Sequence, residues 1–305
     1  MPRTATTFFQ KFVFPNLPNI SFHGIETAYY SEPFNKLQYS DDSFYNPSIF
    51  DDFIKNSENK NILISNEYLS GQSLYFNHIN RTLIASRLKY LFPNAKILLV
   101  LRNQVDLLQS LYAVNVQWKE TRPIDQFIWS NNQKNKLDSG GSSPAHYNTS
   151  EGYECLDGYD YNSLIKLYQD TFKNVTVLLF EEFIENPEIF IKKLAAFFDI
   201  DNEIIKKLVS ENKPINEGVT KIQAEKLIKL NRFYELSEGS ITKKRIYNKL
   251  KNNILKNDKK GIKPHFSSHK TIELKNHFKD LNLLLDKNYP KIEIKNYAKD
   301  YYLEP

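Results

Sequence analysis

The sequence predicts an α/β fold: a three-layer sandwich in which helices flank a central parallel sheet. Three observations predict it. Four short runs are almost wholly aliphatic or β-branched, as strands covered on both faces are. Helical patterns separate them, which is the alternation of a doubly wound sheet. The length, 305 residues, suits one large α/β domain, and we expect residues 1–305 to form a single domain.

In chain order, the opening PRTATT is a loop that feeds an apolar helical stretch carrying Phe8, Phe9, Phe12 and Phe14. Ile20–His23 is a weak first strand, and Ile62–Ser65 (ILIS) is a second. RTLIASRLKYLFP places Ile84, Leu88 and Leu91 on one helical face and stops at Pro93. Lys96–Leu101 (KILLVL) is the third strand, and a helix carrying Ser110 follows it. YNSLIKLYQDTF is a helix that leads into the fourth strand, Val175–Phe180. Asn186-Pro187 is a favourable N-cap and first-turn pair for the helix in NPEIFIKKLAAFFDI. Leu274, Phe278, Leu281 and Leu285 form an apolar stripe on a late helix. The small, polar, Gly/Ser-rich stretch 139–152 reads as a loop long enough to be a lid, and it holds His146.

Hydrophobic content of 41% and charged content of 25% describe a globular, soluble chain. No apolar run approaches the length of a membrane span. Cys155 is the only cysteine, which excludes a disulfide framework and a metal site built from several thiolates. The scattered histidines carry no metal-binding spacing, so no metal is expected. A net charge of +5 gives no general polyanion-binding character. Between Lys243 and Lys263, however, nine Lys/Arg stand against the single acid Asp258. That run is either a solvated helix face or an anion site. Nothing matches a nucleic-acid-binding module.

Two stretches carry chemistry. In the first, a tight loop enters a helix N-terminus, where backbone N–H groups and the helix dipole favour an anion. Arg3 adds a fixed charge, Thr4, Thr6 and Thr7 add hydroxyls, and Ala5 lets backbone approach closely. GxxxxGKS/T is absent, so this is not a nucleotide-triphosphatase loop. In the second, Arg102 stands at the C-terminal end of a strand, where open α/β sheets bind ligands. Ser110 follows eight residues later, two turns into the next helix. A guanidinium and a hydroxyl so spaced can share one phosphate.

Together these stretches resemble the sulfotransferases that use 3′-phosphoadenosine 5′-phosphosulfate (PAPS), the carbohydrate and bacterial branch more than the small-molecule cytosolic branch. The family's phosphosulfate loop reads Pro-Lys/Arg-Ser/Thr-Gly-Thr-Thr, and Pro2, Arg3, Thr4, Thr6, Thr7 and Gln10 match it, with Ala5 in place of Gly. Its 3′-phosphate motif is a strand, Arg-Asn, then Ser eight residues after the Arg, which Arg102, Asn103 and Ser110 match without a gap. VTVLLFEEFIENPEIF is similar to the family's strand–Glu–helix segment. KNDKKGIKPHF resembles its basic loop over the 3′-phosphate, which assigns Lys259, Lys260 and Gly261.

The resemblance implies a P-loop-like fold and sulfuryl transfer from PAPS to a hydroxyl or amine, with a glycan as the acceptor class. It makes Arg3 the catalytic cation and Glu26 the general base, with His23 as the rival. Glu67, at the end of the second strand, and His146 are candidates for holding the acceptor. In the family a buried strand leads directly into the first loop, so a strand is expected ahead of residue 1, and an anchor or signal could accompany it. Without one, the expected location is the cytoplasm. Two other readings remain open: an inactive nucleotide-binding relative, and a P-loop kinase.

Overall fold

The computed structural model describes residues 3–24, 31–57, 61–70, 81–128, 156, 158–212, 218–235, 241–257 and 259–303. The chain forms two compact units. The first comprises Met1–Asn103, Gly158–Ile215 and Leu281–Pro305; the second comprises Gln104–Asp157 and Asn216–Asp280.

All four expected strands are present in the first unit: β1 (Ile20–His23), β2 (Asn61–Ile64), β3 (Lys96–Leu101) and β4 (Asn174–Leu179). β1 pairs parallel with β2, with Ile20 opposite Asn61 and His23 opposite Ile64. β3 pairs parallel with β4, with Lys96 opposite Asn174 and Leu101 opposite Leu179. Parallel pairing is what continuous apolar runs imply. Among the described residues, however, these are two separate two-stranded sheets and not one central sheet. Burial follows suit. Leu99, Leu101, Leu178 and Leu179 are buried, while most other strand residues are only half-buried.

Both strand pairs pack on one aromatic core. Phe8, Phe9, Val13, Phe14 and Leu17 from the opening segment join Phe190, Ile191 and Leu194, and Phe22, Leu63, Leu98 and Val100 lean against them. Phe9 meets Phe14, Phe183 and Phe190 at centroid distances of 5.7, 5.1 and 5.7 Å. Full burial of one such ring is worth about 2–3 kcal/mol. The opening Phe spacing thus serves the core and fixes the loop that precedes it. The segment is a single α-turn (Thr6–Phe8), a five-residue π-turn (Phe9–Val13) and a 3₁₀ turn (Phe14–Asn16). Wide turns of this kind occur often at functional sites.

Other expected helices appear where the patterns put them. Arg81–Leu91 ends two residues before Pro93, and Tyr161–Thr171 precedes β4. Pro187–Phe198 begins after Asn186, but that side chain does not cap it. The Asn186 amide reaches the Tyr297 hydroxyl instead, at 3.4 Å, because the short helix Phe180–Glu185 runs almost directly into the next one.

In the second unit, helix α5 (Gln104–Asn115, counting helices in chain order) buries Val105, Leu107, Leu108, Leu111 and Tyr112. Asn231, on the helix Lys221–Glu235, donates to the carbonyls of Val116 and Glu120 at 2.9 and 2.7 Å. The Tyr247 hydroxyl donates to Asn231 Oδ1 at 2.8 Å. Tyr247 belongs to helix α12 (Ile241–Lys256). Among the described residues, no helix is long and apolar enough to cross a membrane.

Candidate active site

The opening loop owes its shape to two residues in left-handed backbone. Arg3 has φ 61° and Ala5 has φ 59°. The Ala5 carbonyl accepts from the N–H groups of Phe8 and Phe9 at 2.9 and 3.1 Å, which starts the helical segment. Left-handed backbone costs a residue with a Cβ about 1–2 kcal/mol. It persists only where surroundings hold it, which is common in ligand-binding loops. Thr4 is buried, while Arg3, Ala5, Thr6 and Thr7 are half-buried.

Two contacts hold this loop to the ends of the strands. Gln10 donates to the carbonyl and hydroxyl oxygens of Ser65 at 2.9 and 3.1 Å. Thr6 Oγ1 donates to Glu67 Oε2 at 3.3 Å. Glu67 opens a 3₁₀ turn, Glu67–Ser70, two residues beyond Ser65. Burial raises its pKa, while the Thr6 hydroxyl and the Arg3 charge pull the other way. A half-buried carboxylate that is easier to protonate than usual therefore lies against the loop. The sequence offers Glu67 as a residue that holds the acceptor or orients Arg3, or that caps the next helix.

Arg102 reaches the same loop from β3. Its Nη1 donates to the Arg3 carbonyl at 3.1 Å, and its guanidinium lies 4.7 Å from the centre of the Phe180 ring. The Tyr161 hydroxyl donates to the Arg102 carbonyl at 2.5 Å. Next to it, the Asn103 backbone N–H and side-chain amide donate to Glu181 Oε1 at 2.8 and 3.1 Å. The Tyr301 hydroxyl donates to Glu181 Oε2 at 3.0 Å, and the Tyr302 hydroxyl to Asn103 Oδ1 at 3.2 Å. Burial raises the Glu181 pKa, against the pull of these donors.

Sequence reasoning missed Phe180, Glu181 and the two C-terminal tyrosines. For the first two the signal is the strand register, which the sequence does not give. Because Leu101 stands opposite Leu179, the residues just past each strand end are neighbours, so Phe180 falls beside Arg102 and Glu181 beside Asn103. Nothing in local sequence points to Tyr301 or Tyr302, some 200 residues further on.

His23 is the last residue of β1. Its Nε2 lies 3.3 Å from Ser21 Oγ, and its ring packs edge-on to Phe53 at 4.9 Å. Glu26 and His146 lie outside the described residues, as does the stretch 139–152.

The remaining candidates belong to the second unit. Ser110 is half-buried on α5. Lys259, Lys260 and Gly261 are exposed. The segment after them is held at two points: the Ile262 carbonyl accepts from the Lys221 N–H at 2.7 Å, and His265 Nδ1 lies 2.5 Å from Gln109 Oε1. Gln109 immediately precedes Ser110, so within this unit the basic segment is tied to the Ser110 helix.

No family model matches this chain, and no curated protein matches it in sequence. Among solved structures it is similar to a sulfotransferase from Alicyclobacillus acidocaldarius, with 18% identity and a TM-score of 0.40, over 80% of this chain and 95% of that one. At that score the likeness carries no weight on its own. The case for function rests on the residues.

Proposed function

We propose that the chain is a PAPS-dependent sulfotransferase with a P-loop-like fold, acting on a hydroxyl or amine of a carbohydrate acceptor. One observation supports this most: the hydrogen bond from Arg102 to the Arg3 carbonyl joins two stretches 99 residues apart. Each resembles a phosphate-binding motif of that family.

In the reaction, the acceptor oxygen or nitrogen attacks the sulfur in line. The bond from sulfur to the bridging oxygen breaks, and adenosine 3′,5′-bisphosphate leaves with the electron pair. The acceptor's proton passes to a base. Charge grows on the bridging oxygen, so donors aimed there contribute most. Arg3, the Thr7 hydroxyl and the loop N–H groups, that of Thr6 among them, supply them, as positioning and electrostatics do in phosphoryl transfer, while the Thr6 hydroxyl donates to Glu67. Arg102 is assigned to the 3′-phosphate. Ser110, Lys259, Lys260 and Gly261 are the second unit's assignments to the nucleotide. Glu67 orients the loop through Thr6 and holds the acceptor, with His146 as a further acceptor contact. Glu26 is the proposed base and His23 its alternative. No step calls for a metal.

The test is release of adenosine 3′,5′-bisphosphate from PAPS over a panel of glycan acceptors, with Arg3→Ala as control. Acceptor-dependent release lost in the variant supports the proposal. Binding without release, for every acceptor, would point to an inactive nucleotide-binding relative. Hydrolysis of ATP in place of PAPS would point to a kinase-like enzyme.

A further inference from the structure

Helix α12 (Ile241–Lys256) carries six Lys/Arg and no acid in sixteen residues. The wider stretch 218–263 holds thirteen Lys/Arg against four acids, while the whole chain has a net charge of only +5. Basic charge is therefore concentrated here and the remainder of the chain is acidic on balance. Elsewhere, surface lysines pair one turn away along their own helices: Lys36 with Glu32 and Lys166 with Asp170, at 2.8 and 2.7 Å. α12 offers its own cations no such partner, and like charges left together on a helix are destabilising.

The inward side of α12 is clear. Tyr247 is buried, its ring 4.5 Å from Tyr234. Lys251 is turned inward and donates to the Gln117 carbonyl at 2.6 Å. Ile254 and Leu255 are half-buried. At 100° per residue, Arg245, Lys249, Asn252 and Lys256 then fall on the opposite, outward side. On the flank between that basic stripe and the buried side, one turn apart, stand Ile246 and Leu250, which are 53% and 45% exposed. A solvated helix face gains nothing from two neighbouring aliphatic side chains in water. A face that touches an anionic, partly apolar surface gains from both features.

We propose that the outward face of α12 docks on the surface of an anionic phospholipid bilayer, with Arg245, Lys249 and Lys256 against the headgroups and Ile246 and Leu250 at the acyl boundary. Charge complementarity selects an anionic occupant. The exposed aliphatic pair selects a lipid surface over a soluble polyanion, which has no apolar layer to receive it. The helix lies on the membrane and does not span it. This face uses none of the residues assigned to sulfuryl transfer, so the proposal stands apart from that reading.

The test is co-sedimentation of the full chain with large unilamellar vesicles in about 0.1 M salt. One set is pure phosphatidylcholine; the other contains about one third phosphatidylglycerol. Binding is expected only to the anionic vesicles. Arg245→Glu with Lys249→Glu should weaken it about tenfold or more. Ile246→Ser with Leu250→Ser should weaken it to a similar degree. All four positions are exposed, and each variant's thermal unfolding midpoint is measured alongside, so that loss of fold is told apart from loss of binding. Absence of binding to anionic vesicles would overturn the proposal. So would binding that survives Ile246→Ser with Leu250→Ser and is competed equally by heparin or RNA, which would make this a polyanion surface.

Discussion

Ala5 sits at φ 59° and ψ 14°, a conformation that glycine adopts freely and alanine does not. Thr4 is buried on one side of it and the helical segment starts on the other, so the protein holds the loop at some cost to stability. Ala5→Gly should therefore leave stability unchanged or raise it by up to about 1 kcal/mol, while Ala5→Val should lower it. Thermal unfolding of the two variants checks this. Glu67 makes a second residue-scale prediction. Its pKa is raised in the fold by burial, so the folded protein holds that proton more tightly than the unfolded chain does. The fold is then penalised as pH rises from the ordinary glutamate value of about 4.3 through the raised folded value. Below that window the carboxyl is protonated in both states and the penalty vanishes. Glu67→Gln should be more stable than the parent at pH 7, with the gain fading toward pH 4, and should lower sulfuryl transfer at least about tenfold. Unfolding midpoints across pH, beside turnover, measure both. An equal gain at pH 4 and pH 7 would contradict the assignment.

At the scale of elements, the strands were legible because buried parallel strands must be nearly continuous runs of aliphatic residues. All four lie within one residue of the expected bounds. Their grouping into two separate pairs among the described residues, where one central sheet was expected, was not legible, since pairing depends on backbone partners that composition does not encode. Asn186 takes the N-cap position and Pro187 the first turn, as expected, but the Asn186 side chain makes no capping bond and its amide donates to the Tyr297 hydroxyl. At the strand ends of β3 and β4, Glu181 gathers Asn103 and Tyr301, and Tyr302 adds a bond to Asn103. This network holds the turn that carries Arg102, and under the proposed function it acts on the nucleotide through Arg102 without touching it. Tyr302→Phe removes one hydrogen bond and should cost about 1 kcal/mol of stability. It should also weaken affinity for adenosine 3′,5′-bisphosphate by several-fold while leaving adenosine 5′-monophosphate affinity unchanged. A loss shared equally by both nucleotides would mean that the tyrosine serves the fold in general.

At the scale of the whole chain, the candidate site was partly legible. The loop at Arg3–Thr7 and the Arg102 strand end were readable because phosphate recognition needs particular residue types at fixed local spacing. The contact between them was not, because it arises from tertiary packing of an aromatic core that Phe8, Phe9 and Phe14 build beneath the loop. Glu26, the residue that the resemblance favours as base, lies outside the described residues, so its place rests on sequence alone. The central claim is that these two motifs serve one nucleotide. Calorimetric titration with adenosine 3′,5′-bisphosphate, beside adenosine 5′-monophosphate and ATP, tests it most directly, with Arg102→Ala as control. The account predicts tight binding that requires the 3′-phosphate and falls by at least about tenfold in the variant. Equal affinity for the three nucleotides, or binding indifferent to Arg102→Ala in a folded protein, would contradict it.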